Sequence, residues 1–163
     1  MTTRRITMIA ALAALLTVAR VYFSFIPNVQ PNTVVFILVA MALGPHYGVV
    51  LAILSTFVSN MILGSGPWTL FQMITWSIIA LISGGLKGLH KKIPFYIMAL
   101  YVGVTGLFYG FVMSLLSAPM YGNFWGYYLA GLPFDISHAV GNIVFYLVLY
   151  KPIFAVLDRY LKK

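Results

Sequence analysis

The chain has 163 residues, of which 62% are hydrophobic and 7% charged, with ten Lys and Arg against two Asp, no Glu and a net charge of +8. A soluble domain of this length shows roughly 25% charged residues, so an ordinary water-soluble class is excluded, and the mean hydropathy of +0.99 points to an integral membrane protein. The basic residues flank apolar stretches instead of forming one stripe, which argues against nucleic acid. With no cysteine, disulfides and thiolate chemistry are excluded as well.

A span needs roughly 20 apolar residues, and Gly, Pro and Asn clusters supply the breaks. These rules predict an all-α bundle of six transmembrane helices in one domain over 1–163, with segments at 5–25, 32–43, 47–63, 68–86, 93–116 and 133–157. The first begins after Arg4 and Arg5 and looks like a signal peptide, but Arg20 and Tyr22 stand where small residues would mark cleavage, so it reads as a retained helix. The second is short for a crossing, and is expected to tilt, to extend into its flanks or to pack inside the bundle. The boundary between the second and third, at Gly44 and Pro45, is the weakest. A five-helix count would separate two termini that are both basic, so six is preferred.

Basic residues cluster at Arg4 and Arg5, at Lys87, Lys91 and Lys92, and at Lys151, Arg159, Lys162 and Lys163. A charge at the bilayer centre costs at least ~3 kcal/mol, and basic flanks face the cytoplasm, so both termini and the loops 44–46 and 87–92 are expected inside. The loops 25–33, 64–68 and 117–133 then face outward. They hold no Lys, Arg or Glu, but Pro, Gly, Asn, Gln and aromatic residues suited to uncharged recognition.

Catalytic motifs are missing. There is no HExxH, GxSxG or Walker A sequence, Gly84-Gly85-Leu86-Lys87-Gly88 ends a span instead of following a strand, and Asp135 and Asp158 fall near opposite faces. No enzyme activity, cofactor or metal site is expected, since one Asp and one His fall short of three or four ligands. Asp135, His138 and Asn142, at i, i+3 and i+7, share one helix face. Asp135 either forms an ion pair with Arg20 or lines a ligand cavity with its neighbours. Trp68, Gln72, Thr75 and Trp76 form a second stripe, in which Trp68 can equally be an interface anchor. With Asn28, Gln30, Asn32, Asn60, Tyr121 and Trp125 these residues would give flat apolar walls and a few neutral hydrogen-bonding groups, the usual make-up of a small-molecule site. On the first segment Ala10, Ala13 and Ala14 form a small-residue stripe that would let helices approach closely.

Six helices in under 200 residues, basic ends, the Ala10-xxx-Ala14 pair, the run from Arg20 to Thr33 and the Gly64-Ser65-Gly66-Pro67-Trp68 turn resemble the substrate-binding S components of energy-coupling factor (ECF) transporters. The resemblance covers the whole chain, and the two loop sequences are its specific part. It implies a multi-pass protein of a prokaryotic plasma membrane that captures a vitamin or precursor outside and docks on one transmembrane T component and two ATPases, which would hydrolyse the ATP. It further implies that Ala10 and Ala14 contact the T component and that 27–32 and 64–67 act as lids. Cobalamin and hydroxymethylpyrimidine are the leading ligands for this branch. A self-sufficient secondary carrier or small-solute channel is the alternative, and a membrane assembly factor a third. The carrier would need proton-relay groups deep in the bundle, the channel a polar path across it, and the assembly factor no outward pocket.

Overall fold

The computed structural model describes residues 3–89 and 91–161. Lys162 and Lys163 of the terminal basic cluster and His90 of the basic loop therefore lie outside the described residues. Among these residues there are six α-helices and no strand: α1 Thr3–Tyr22, α2 Asn32–Leu43, α3 Pro45–Leu63, α4 Pro67–Gly85, α5 Phe95–Tyr121 and α6 Phe124–Leu161, with a single 3-10 turn, Phe23–Phe25, after α1. All but α2 are long and apolar enough to cross a membrane. Their outer faces carry large apolar side chains such as Leu15, Val18, Met61, Leu100 and Val148, a surface that suits lipid and not water.

Breaks in the chain follow local chemistry. Gly44, at φ 117°, ends α2, and Pro45 opens α3 at a position where its missing N–H is no loss. Gly64 and Pro67 repeat the pattern between α3 and α4. At 12 residues α2 is about 18 Å long, too short to match the hydrocarbon core. Every residue of it except Ala42 is buried, and it packs against α3, α4 and α6. A helix that is apolar on every face past its first turn belongs in an interior, which is the third of the three expected outcomes for this segment.

The predicted loop 117–133 is corrected. Helix α5 runs to Tyr121 and α6 starts at Phe124, leaving Gly122 and Asn123 as the connection. The cap is Asn123, whose Oδ1 accepts the Gly126 N–H at 3.1 Å, while Gly122 takes the left-handed conformation at φ 75°. Pro133, read as a helix start, lies inside α6.

Helices α5 and α6 meet along a glycine seam. A Cβ on Gly106 would come within 2.6 Å of the Ala139 backbone nitrogen, one on Gly103 within 2.8 Å of Ile143 Cδ1, and one on Gly110 would overlap the Asp135 carboxylate. Close approach through small residues is how helices associate where lipid removes the hydrophobic drive. At the opposite end of the bundle Arg5 Nη1 donates to Tyr47 Oη at 2.8 Å and Lys87 Nζ donates to Leu43 O at 2.8 Å. These bonds gather the start of α1, the α2–α3 turn and the α4–α5 loop at one basic end.

Candidate functional site

Two polar layers sit in the half of the bundle away from that basic end. The deeper one is built on Thr33 of α2. Its Oγ1 receives the Trp76 Nε1–H at 2.8 Å and stands 2.9 Å from His138 Nε2, tying α2 to α4 and α6. Trp76 meets Phe36 edge-on at 5.7 Å and Tyr109 at 4.9 Å, and Tyr109 meets the His138 ring at 4.8 Å. Trp76, His138 and Asn142 each have 0% exposure.

The second layer runs from α1 to α4. Arg20 Nη1 donates to Ser59 Oγ at 2.7 Å and Nη2 to Gln72 Oε1 at 3.0 Å, and its guanidinium lies 5.1 Å from the centre of the Trp76 ring. Asn60 Nδ2 also donates to Gln72 Oε1, at 2.8 Å, and to Thr69 Oγ1, at 3.0 Å.

A cavity of about 430 Å³ opens beside this layer. It is lined by Asn28 from the α1–α2 connection, Gln72 of α4, Tyr109, Gly110, Met113 and Ser114 of α5, and Tyr127, Phe134 and Asp135 of α6. Asn28, which lines the cavity, adopts φ 58°, a conformation Asn tolerates better than most residues. A second cavity of about 140 Å³ shares Asn28 and Gln72 and adds Arg20 and Gln30.

The predicted site residues separate accordingly. Asn28, Gln72 and Asp135 line the main cavity, and Gln30 the adjoining one. Trp76, His138 and Asn142, expected in the lining, are instead enclosed by other side chains; Asn142 Nδ2 donates to Val102 O at 3.4 Å. Asn32 is likewise internal, donating to Ser55 Oγ at 3.0 Å, and Asn60 serves the network around Gln72. Trp68 and Tyr121 border a separate cavity of about 190 Å³, and Trp125 points outward with 66% exposure. The Arg20–Asp135 ion pair is not formed: Arg20 is bound by Ser59 and Gln72, and Asp135 Oδ2 is buried without a hydrogen-bond partner. Ala10 and Ala14 face outward, whereas Ala13 packs inside, so the stripe divides between two faces.

Sequence reasoning missed Tyr109, Gly110, Met113 and Ser114. Their spacing could have identified them, because 109/113 and 110/114 are i, i+4 pairs on one face of a segment that was read as a plain span. It also missed Tyr127 as a helix residue, a consequence of starting α6 at Pro133.

Chemically the cavity offers aromatic faces, two amides, the Ser114 and tyrosine hydroxyls and one carboxylate. That is equipment for binding, with no nucleophile–base pair and, among the described residues, no group of three potential metal ligands. Among known proteins, a family model described as ECF transporter, substrate-specific component, matches residues 4–150. No curated protein and no solved structure gives a match.

Proposed function

The chain belongs to the substrate-specific components of ECF transporters, multi-pass membrane subunits that bind the substrate, and from that premise we propose that it captures a vitamin or vitamin precursor from outside the cell in the cavity between α4, α5 and α6. The observation that carries this reading is the cavity of about 430 Å³ at the end of the bundle away from the basic residues. Basic flanks stay in the cytoplasm, so both termini lie inside, the cavity opens outward, and α2 completes a six-helix membrane unit. Of the two leading ligands, hydroxymethylpyrimidine fits the volume. Cobalamin, a corrin macrocycle with a nucleotide tail, exceeds it, and a pocket of this kind works by burying most of its ligand.

Delivery then proceeds by docking on the T component and its two ATPases, which supply the hydrolysis. The outward-facing Ala10 and Ala14 support this step, because small residues leave backbone within reach of a partner helix. Co-purification in mild detergent tests it: the wild type brings down the T component and ATPases, and Ala14→Trp loses them while vitamin binding by the isolated subunit persists. Capture of both partners by the Trp variant overturns the docking face. Orientation is checked by single cysteines in this cysteine-free chain. Asn123→Cys should label from outside intact cells and Lys91→Cys only after lysis, and the opposite pattern overturns the topology.

A further inference from the structure

The main cavity of about 430 Å³ has two smaller neighbours. One, of about 140 Å³, shares Asn28 and Gln72 with it, and the other, of about 190 Å³, shares Met113 and Tyr127. A side chain that lines two adjoining cavities is the wall between them, and the two walls differ in stiffness. Gln72 Oε1 accepts hydrogen bonds from Arg20 at 3.0 Å and from Asn60 at 2.8 Å, so moving Gln72 breaks a polar network. Met113 packs against the apolar core through a chain with three rotatable bonds, which can change shape without giving up a hydrogen bond. Its companion Tyr127 stacks on Tyr121 at 4.9 Å between ring centres. The small cavities also differ in chemistry. The one beyond Gln72 holds the charged Arg20, whereas Trp68, Phe71, Met120 and Tyr121 line the one beyond Met113.

Resting on the binding-subunit reading above, we propose that Met113 is a specificity-determining residue: it limits how far a ligand extends along α5, and the space behind it fits an uncharged aromatic or alkyl extension. Ser114 and Ser117, about one turn apart on α5, mark the two sides, Ser114 in the main cavity and Ser117 in the small one. A ligand contained in the main cavity leaves Met113 in place. A longer one has to displace the thioether chain and give up its packing before it gains the aromatic faces beyond. Truncating Met113 to Ala joins the two spaces, because the side chain removed is one that they share. Met120 supplies the matched control, since it is exposed and lines the small cavity alone, so its truncation enlarges that cavity without opening the wall.

The test uses the purified full chain in lipid nanodiscs carrying Ser114→Cys, which places a single thiol in the main cavity of a cysteine-free protein. Two probes are compared, methyl methanethiosulfonate and the much longer biphenylmethyl methanethiosulfonate, with modification timed by intact mass. Adding Met113→Ala should raise the ratio of the long-probe rate to the short-probe rate by about tenfold or more, the discrimination that a single methylene makes in an apolar pocket. Met113→Leu, which keeps the bulk, and Met120→Ala should leave the ratio unchanged. If Met113→Ala does not fold, Tyr127→Ala, at the same wall, should raise the ratio in its place. An unchanged ratio in folded Met113→Ala, or an equal rise in Met120→Ala, overturns the role of Met113 and leaves the subunit reading standing. A thiol inert to both probes overturns it as well, because no accessible cavity is then there to be divided. The expected labelling in a protein that binds no vitamin and captures no ATPase would instead refute the subunit reading, and the specificity role with it.

Discussion

The Thr33 layer and the Arg20–Gln72 layer use similar polar residues in the same half of the bundle, but they do different work. In the first, Trp76 and His138 converge on one hydroxyl, and ring contacts lock four helices together. In the second, Arg20 carries a charge, and Gln72 adjoins open volume that Asp135 also lines. Leftover atoms do not separate them, since His138 Nδ1 and Asn142 Oδ1 are also unpartnered. What separates them is charge together with access to a cavity. A polar residue deep in an apolar helix therefore marks a place where helices are tied or a place where a ligand is met, and only packing tells which.

Mutations on the two sides should part stability from affinity. The largest effect is expected for Trp76→Ala, which removes a fully buried indole and should cost about 3–5 kcal/mol, read as a lower melting temperature. A change in vitamin affinity at unaltered stability would move Trp76 to the ligand side. Thr33→Val should cost about 1–3 kcal/mol by stranding the Trp76 and His138 nitrogens, again with a stability readout. Tyr127→Ala, on the cavity wall, should instead weaken vitamin binding about tenfold, or 1.4 kcal/mol, and leave the melt unchanged. The smallest change is expected far from both layers: Lys87→Ala, which frees the Leu43 carbonyl at the end of α2, should lower stability by about 1 kcal/mol without touching affinity.

Much of the fold could be read from the chain because lipid simplifies the physics. Spans must be apolar, breaks need Gly and Pro, and the segment 32–43 could be recognised as short for a crossing before its burial was known. The start of α6 was hidden because Pro133, after Gly131, looks like a helix opening, while Asn123 caps it ten residues earlier through one side-chain bond. Within the site, Asn28, Gln72 and Asp135 were legible as polar groups at the outer end of their segments. The rotation that turns Asp135 toward space and His138 and Asn142 toward α2 and α5 was not, since i, i+3 and i+7 spacing defines a face without saying what each level of it meets. The glycine seam is what sets that rotation, because Gly110 admits the Asp135 carboxylate and Gly106 admits the α6 backbone.

Ser114→Cys gives the most direct test of a ligand site between α4, α5 and α6. Ser114 lines the main cavity with 4% exposure, the change is nearly isosteric, and the chain holds no other cysteine. In reconstituted protein a thiol reagent should modify this residue and abolish vitamin binding, and bound vitamin should protect it from modification. Complete modification with unchanged vitamin affinity would contradict the account.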